Sequence, residues 1–210
     1  MANPMALATA LKPISFGEYL LLPYDRKRTE LVNGEIVEMS EASPLHVLII
    51  KLLRHLLDEH LKEIGSTLGT FDGCGVEIPR ETGKNNVRDP DLLLCEVEQF
   101  ESMLGLTKAI FLEGNTPALV IEVASPGNTS RDTVDKRLEY ALTKVPEYWI
   151  INPVDKKVLT LALDGDTYRE LGEFEGDDLI LSELLPKFCP KASLLLRGRL
   201  STKSFKEGAS

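Results

Sequence analysis

Features that define several common protein classes are scarce or missing in this chain. Its 210 residues include only three cysteines and no C-x-x-C pair, which argues against a disulfide framework and favours a reducing compartment. No apolar run is long enough to cross a bilayer, and the first residues lack the basic start and apolar stretch of a signal peptide. We therefore expect a cytoplasmic protein that does not associate with membranes.

The sequence also lacks the short motifs of several enzyme classes. It contains no G-x-G-x-x-G, no G-x-x-x-x-G-K-[ST] and no G-x-S-x-G. His55 and His60 lie on one predicted helix, but a spacing of five residues does not align them as in a zinc-binding H-E-x-x-H helix. An enzyme acting on a small phosphorylated substrate therefore has little support, although it stays open as a third hypothesis.

The composition indicates one globular domain with an uneven charge distribution. Apolar residues make up 43% of the chain, charged residues make up 27%, and the net charge is −9. Such an acidic chain should bind nucleic acid weakly, because affinity for phosphates comes from Lys and Arg. Residues 187–210 differ, since they hold six basic residues and only one acid, Glu207. This basic tail could contact nucleic acid, or it could be a solvated, disordered end.

Local patterns in the first half of the chain predict short elements around one long helix. They predict a helix over 15–21, a hairpin over Thr29–Met39, a helix over 44–64, and strands near 67–71 and 74–79. Ser15 and Ser43 are suited to cap the helices, and Asn33-Gly34 tolerates the positive φ angles of a type I′ turn. The long helix should bury the apolar residues that recur every three to four positions: Val47, Ile50, Leu53, Leu57 and Leu61.

The second half is predicted to combine strands with one helix. Its elements are a strand over 87–95 that is entered through Pro90, a strand over 117–124, a helix over about 129–144, a strand over 147–151 and a hairpin turned at Asp164-Gly165. The strand, helix and strand across 117–151 form a βαβ-like unit. The predicted class is α/β, in an α+β arrangement with antiparallel additions.

Two acids within apolar strands are the strongest candidates for chemistry. Asp91 precedes three leucines, and Glu122 is flanked by Ile121 and Val123. A lone buried carboxylate is costly unless a cation or hydrogen bonds compensate for it. Either the acids occupy edge positions or buried salt bridges with arginine, or the two converge to hold Mg²⁺, a cation that prefers oxygen ligands.

A basic group on the helix after Glu122 could complete such a site. Lys136 could orient or deprotonate an attacking water near a metal-bound phosphate. At 100° per residue, however, Lys136 lies on the opposite side of the helix from the apolar pair Val134 and Leu138. Lys136 can point inward only if the helix packs through the side that carries Lys136, Arg137 and Tyr140.

Several motifs in a fixed order resemble one known family. They are Glu30-Leu31-Val32-Asn33-Gly34-Glu35, Ser43-Pro44-Leu45-His46, Pro90-Asp91, the run over 120–126, Arg131-Asp132, Lys136-Arg137 with Tyr140, and Val145-Pro146-Glu147-Tyr148-Trp149. Together they resemble the Uma-type restriction endonuclease family, a bacterial branch of the PD-(D/E)XK nuclease superfamily. The resemblance covers about residues 15–190, which leaves a flexible N-terminus over 1–14 and a basic C-terminal tail over 191–210.

The resemblance implies both a fold and a set of roles. The fold would be a restriction-endonuclease-like mixed central β-sheet flanked by helices, with added N- and C-terminal β-hairpins. Asp91, Glu122 and the backbone carbonyl of Val123 would bind Mg²⁺ or Mn²⁺. Ala124 occupies the position where an orthodox member has its catalytic lysine, and Lys136 would supply that lysine from the helix. Four residues match positions with possible supporting roles: Glu35, His46, Arg137 and Tyr140.

The leading hypothesis from the sequence is a Mg²⁺-dependent endonuclease that hydrolyses DNA phosphodiester bonds through a metal-activated water. The catalytic residues would be Asp91, Glu122 and Lys136. DNA would be a low-affinity partner, and a homodimer would suit cleavage of both strands of a duplex. The alternative is a nuclease-like module that binds but cuts weakly or not at all, which the displaced lysine and the acidic body favour.

Overall fold

The computed structural model describes residues 13–23, 27–80, 84–125 and 134–199. Five α-helices lie in these ranges: α1 (Phe16–Leu21), α2 (Pro44–Glu63), α3 (Val97–Glu101), α4 (Lys136–Leu142) and α5 (Ala192–Leu196). The strands of the N-terminal half are β1 (Thr29–Val32), β2 (Glu35–Glu38), β3 (Leu68–Phe71), β4 (Gly75–Ile78), β5 (Asn86–Arg88) and β6 (Leu92–Glu96). The remaining strands are β7 (Ile110–Phe111), β8 (Leu119–Val123), β9 (Glu147–Asn152), β10 (Lys157–Asp164) and β11 (Thr167–Phe174).

The predicted N-terminal elements are present with the expected capping and turn chemistry. The Ser15 side chain accepts a hydrogen bond from the Glu18 backbone N–H, and Glu18 completes a capping box at the start of α1. Asn33 and Gly34 have φ angles of 54° and 84°, as a tight hairpin turn requires. Of the N-terminal segment predicted to be flexible, residues 1–12 lie outside the described ranges. The Ile14 backbone N–H donates to the carbonyl of Gly34.

Helix α2 covers one side of the six-stranded sheet. Ser43 caps it by accepting from the His46 backbone N–H, and Pro44 stands at its first position. Leu53, Leu57 and Leu61 are buried as predicted, together with Ile49 and Leu52. The predicted buried face is wrong at its start, because Val47 is exposed and Ile50 is only partly buried. The buried stripe is rotated toward Ile49 and Leu52, which pack on the sheet.

The predicted single strand over 87–95 is wrong, because the chain changes sheets at Asp89-Pro90-Asp91. Strand β5 ends at Arg88, and β6 begins at Leu92 in the other sheet. Pro90 has no backbone N–H to donate to a ladder, so it suits a break between strands. This break places Asp91 directly before β6, between the two strands.

The strands form two mixed sheets flanked by helices, which confirms the predicted fold class. One sheet has the order β2-β1-β5-β4-β7, and the other has the order β11-β10-β9-β8-β6-β3. The parallel pairing of β8 with β9 confirms the βαβ-like unit, with α4 between the two strands in sequence. The C-terminal hairpin β10–β11 extends the six-stranded sheet, and the N-terminal hairpin β1–β2 forms one edge of the five-stranded sheet.

The folded domain extends beyond the predicted boundary at residue 190. Within the predicted tail, Ala192 and Leu195 of α5 are fully buried, and α5 packs against α2. The Ala192 backbone N–H also donates to the Asp178 carbonyl. Residues 200–210, which carry the rest of the predicted basic tail, lie outside the described ranges. No helix in the described part of the chain is both long and apolar enough to span a membrane.

Candidate active site

Strand pairing brings Asp91 and Glu122 to the same end of the neighbouring strands β6 and β8 in the six-stranded sheet. In the antiparallel pair of β6 and β8, Leu92 lies opposite Ile121 and Leu93 lies opposite Val120. Continuing this register by one residue places Asp91 opposite Glu122. A direct contact agrees with this placement, since the Val123 backbone N–H donates to Asp91 Oδ2 over 2.9 Å. Both carboxylates are buried.

Asp91 is held as a carboxylate by three donors. Besides the Val123 N–H, its Oδ1 lies 3.1 Å from His46 Nε2 and 3.2 Å from Arg28 Nη1. Burial alone would raise the pKa of Asp91, but His46, the Val123 N–H and Arg28 together lower it below its ordinary value. Since an ionised carboxylate offers about four lone pairs, these contacts leave room for one more ligand.

Lys136 contacts Glu122 directly. Its Nζ lies 2.8 Å from Glu122 Oε1, and the side chains are only 4% exposed. Tyr140, one helical turn further along α4, donates its hydroxyl to the same Oε1 over 2.9 Å. Burial and the neighbouring charge of Glu122 raise the pKa of Tyr140 well above its ordinary value, so its hydroxyl stays protonated and serves as a donor.

Helix α4 packs through the polar side of the helical wheel. Val134 and Leu138 are 57% and 58% exposed, whereas Lys136 is 4% exposed and Tyr140 is fully buried. The apolar pair therefore faces outward, against the simple expectation from hydrophobicity. The charge partners of Lys136 and the packing of the Tyr140 ring edge-on against Tyr148 stabilise this orientation.

A buried chain of charges extends from Lys136 into the five-stranded sheet, and sequence reasoning missed it. Glu30 Oε1 lies 3.3 Å from Lys136 Nζ, and Glu30 Oε2 lies 2.7 Å from Arg88 Nη1. Arg88 Nε in turn contacts Glu139 of α4 over 2.5 Å. Burial would raise the pKa of Glu30, but Lys136 and Arg88 lower it overall. The sequence feature that could have revealed this network is the alternation of a charged residue with an apolar one. In β1 the pair is Glu30 and Leu31, and in β5 it is Val87 and Arg88.

The other predicted site residues lie in different places. His46, in the first turn of α2, contacts Asp91. Arg137 points away from the acids, toward β11, where it contacts Glu170 and the Tyr168 carbonyl. Glu35 is exposed at the start of β2, and the contacts described around Asp91 and Glu122 do not include it. The acid that the hairpin brings to the charge cluster is Glu30.

The donor set fits a divalent cation that retains part of its water shell. Among the described residues, no group of three or more His, Cys, Asp or Glu side chains is arranged to hold a metal ion. Mg²⁺ needs no such cage, because it keeps several waters and binds through one or two carboxylates. The described cluster also has an excess of acid, with five carboxylates against three cations: Glu30, Asp89, Asp91, Glu122 and Glu139 against Arg28, Arg88 and Lys136.

Two mixed sheets thus carry Asp91 and Glu122 on neighbouring strands, with Lys136 beside Glu122. The family model of Uma2, described as "Putative restriction endonuclease", matches residues 16–195. The chain therefore belongs to the Uma2 family. No curated protein matches it.

A solved structure confirms the likeness in fold. It is described as the crystal structure of a "putative nuclease belonging to DUF820" from Anabaena variabilis ATCC 29413. The two structures superpose with a TM-score of 0.71 at 19% sequence identity, over 90% of this chain and 100% of the other. At this identity the comparison establishes the shared fold.

Proposed function

We propose that this protein is a metal-dependent endonuclease that hydrolyses phosphodiester bonds of DNA. The observation that carries the proposal is the contact of Lys136 Nζ with Glu122 Oε1, at the strand ends where Asp91 also lies. This contact brings a lysine to the two acids, although Ala124 occupies the position after β8 where an orthodox member of the superfamily has its lysine. Membership of the Uma2 family supports the same activity.

Asp91, Glu122 and the Val123 backbone carbonyl would hold Mg²⁺ or Mn²⁺. When bound, such an ion lowers the pKa of a water ligand and stabilises charge on the leaving oxygen. The Val123 N–H is committed to Asp91, so the carbonyl is the group that Val123 can offer. His46 and Arg28 hold Asp91 in its ionised form, and Tyr140 fixes the orientation of Glu122.

Lys136 would act on the nucleophile rather than on the metal. Its ammonium group is not a ligand for Mg²⁺, but it can orient the attacking water and offset the charge that develops on the phosphate. Glu30 and Glu122 hold the ammonium from two sides, which restricts it to one position. This restriction provides the pre-organisation that transition-state stabilisation requires.

Nicking of supercoiled plasmid DNA tests the proposal. We expect nicking with Mg²⁺ or Mn²⁺ and none with EDTA, and we expect Asp91→Asn to abolish it. Lys136→Met should lower the rate about 10²-fold or more, the usual scale for losing a proton-transfer group, with little change in metal affinity by calorimetry. Lys144→Met is the matched control, because this exposed lysine just beyond α4 pairs with Asp166. Cleavage by Asp91→Asn at the parental rate would contradict the proposal.

One observation favours the second candidate, a nuclease-like module that binds DNA without cutting it. The chain's own donors already satisfy much of the site, since three contact Asp91 and both Lys136 and Tyr140 contact Glu122. Such a site can be stable without a metal. DNA binding that persists while no metal produces nicking would support this candidate. An RNA substrate in the same assay would decide which nucleic acid is preferred.

A homodimer and a cytoplasmic location also remain proposals. Two-fold symmetry would suit the cleavage of both strands of a duplex. Sedimentation of the full chain, with and without DNA, tests the expected dimer.

A further inference from the structure

A cleft beside the candidate active site is lined by more cations than acids. Its volume is about 170 Å³, and its polar lining includes Lys27, Arg28, Lys108, Thr107 and Asp89. Three cations therefore face one carboxylate, although the chain as a whole carries a net charge of −9.

Arg28 joins this cleft to the acids. Its guanidinium contacts both Asp89 and Asp91, yet its side chain is 41% exposed. Asp89 and Asp91 are two residues apart, so their Cα atoms are separated by at most about 7 Å. A ligand group in the cleft would therefore lie close to the strand ends that carry Asp91 and Glu122.

The cations of the cleft are held in different ways. Arg28 donates to Asp89 and to the Pro90 carbonyl, so it is fixed in place. Lys108 lies 4.9 Å from the centre of the Tyr19 ring. Lys27 pairs with Glu38 on the surface, where an ion pair contributes little and can exchange for another anion. The cleft thus combines one fixed cation with two lysines that can adjust to a ligand.

The size and floor of the cleft indicate what it could hold. Pockets for complete small molecules usually measure about 300–1,000 Å³, so this cleft suits a smaller group. Val87 and Ile110 form an apolar part of its wall. A phosphate would contact the cations, and a sugar could contact the apolar wall.

We propose that this cleft is a subsite for a backbone phosphate of the DNA strand, close along the strand to the phosphate at Asp91 and Glu122. This inference rests on the proposed function, because it assigns a position to the same substrate. The three cations that line the cleft would provide a phosphate contact in a chain whose net charge is −9. A contact with a backbone phosphate adds affinity for DNA but does not distinguish one base sequence from another.

Thr107 allows the charge of the cleft to be changed in both directions, because it is exposed at the rim. Binding of a labelled duplex is measured by anisotropy in EDTA over a range of salt concentrations, with the full chain. We expect Thr107→Glu and Lys108→Gln to weaken binding and to reduce the slope of log affinity against log salt by about 1, the change for one lost phosphate contact. Thr107→Lys should strengthen binding and raise the slope by about 1.

Two controls separate this effect from a general change in charge. Lys62→Gln removes a lysine at the far end of α2, which lies about 24 Å along the helix from His46. Thr167→Glu adds an acid at an exposed position in the hairpin β10–β11. Both controls should bind like the parent chain. Circular dichroism of each variant checks that it is folded.

The outcomes separate this proposal from the proposed function. If the parent chain cuts DNA but the Thr107 and Lys108 variants bind normally, the subsite is wrong and the nuclease stands. If these variants bind less while no metal produces cutting, the subsite stands and the nuclease is wrong. Failure of the parent chain to bind DNA overturns the subsite. Binding of a deoxynucleoside monophosphate in place of DNA, lost in Thr107→Glu, would assign the cleft to a free nucleotide and also overturn it.

Discussion

Two buried glutamates on neighbouring strands are stabilised in different ways. Glu147, at the start of β9, accepts from the Trp149 indole N–H and from the backbone N–H groups of Glu183 and Leu184. Its described donors are all neutral, and they tie β9 to the segment after β11. Glu122, on the adjacent β8, contacts the Lys136 ammonium and the Tyr140 hydroxyl. Burial within a strand is common to both, so the type of donor separates the structural acid from the candidate functional one.

The comparison extends to the surroundings of each acid. Around Glu147, the donors that the described residues provide are one indole and two backbone N–H groups, none of which carries a charge. Around Glu122, Lys136 is shared with Glu30, and Glu30 is shared with Arg88. The charge network thus spans α4, β8, β1 and β5, whereas the Glu147 contacts are local to one end of the six-stranded sheet.

The largest effect on stability is expected from removing the cation at the centre of the charge network. Arg88 is 3% exposed and contacts both Glu30 and Glu139, so Arg88→Met would leave two carboxylates without this partner. We expect the free energy of unfolding to fall by about 3–5 kcal/mol, the usual cost of breaking a buried ion pair. Urea denaturation measures the change. Arg169→Met, which breaks the exposed pair with Glu183, should change stability little.

A smaller effect, and one limited to stability, is expected at Glu147. In Glu147→Gln, an amide nitrogen replaces one acceptor oxygen and faces either the indole or the backbone donors. One unpaired buried group should cost about 1–3 kcal/mol in the free energy of unfolding. Nicking by the folded fraction should be unchanged. Glu122→Gln should do the reverse, with loss of nicking as the main effect. Equal loss of nicking in both variants would remove the distinction between the two acids.

The smallest effect is expected in the dependence of stability on pH. Because the pKa of Glu30 is lower in the folded chain, folding favours the ionised form. The stabilisation is complete above the unfolded pKa of about 4.3 and is lost as the pH falls through the folded pKa. Each unit by which the folded pKa lies below the unfolded pKa corresponds to about 1.4 kcal/mol in the free energy of unfolding. Asp89, whose pKa is raised, acts in the opposite direction, since its contribution is lost as the pH rises through its folded pKa.

Glu30→Gln tests this pH dependence. Chemical denaturation at several values between pH 5 and pH 3 should show a shallower loss of stability in the variant than in the parent chain, whatever the absolute stabilities. Equal slopes would mean that Lys136 and Arg88 do not lower the pKa of Glu30.

Local sequence rules were sufficient for much of the fold because the relevant physics is local. The Ser15 capping box and the Asn33-Gly34 turn depend on neighbouring residues only. The single strand predicted over 87–95 failed because an apolar run carries no information about which sheet each half joins. Proline at position 90 was the available signal, and it indicates a break more than a strand start.

The candidate site was only partly predictable from the sequence. Asp91 and Glu122 stood out because an acid in an apolar strand needs compensation. The helical wheel did not predict that Lys136 points inward. The charges that hold Lys136 there, Glu30 and Glu122, lie 106 and 14 positions earlier in the chain and do not enter a helical wheel. Arg28 gave no signal, since its contacts with Asp89 and Asp91 span more than sixty positions. Contacts between distant segments depend on the complete fold.

The contacts of Arg28 have a consequence for exchanging parts between relatives. This guanidinium, next to the β1–β2 hairpin, binds both acids of Asp89-Pro90-Asp91 and also lines the cationic cleft. A chimera that replaces the N-terminal hairpin segment would therefore alter two properties at once: the environment of a proposed metal ligand and the charge of the proposed DNA subsite. A recombination point after Met39 would therefore change both properties together, while Asp91, Glu122 and Lys136 stay with the remainder of the chain.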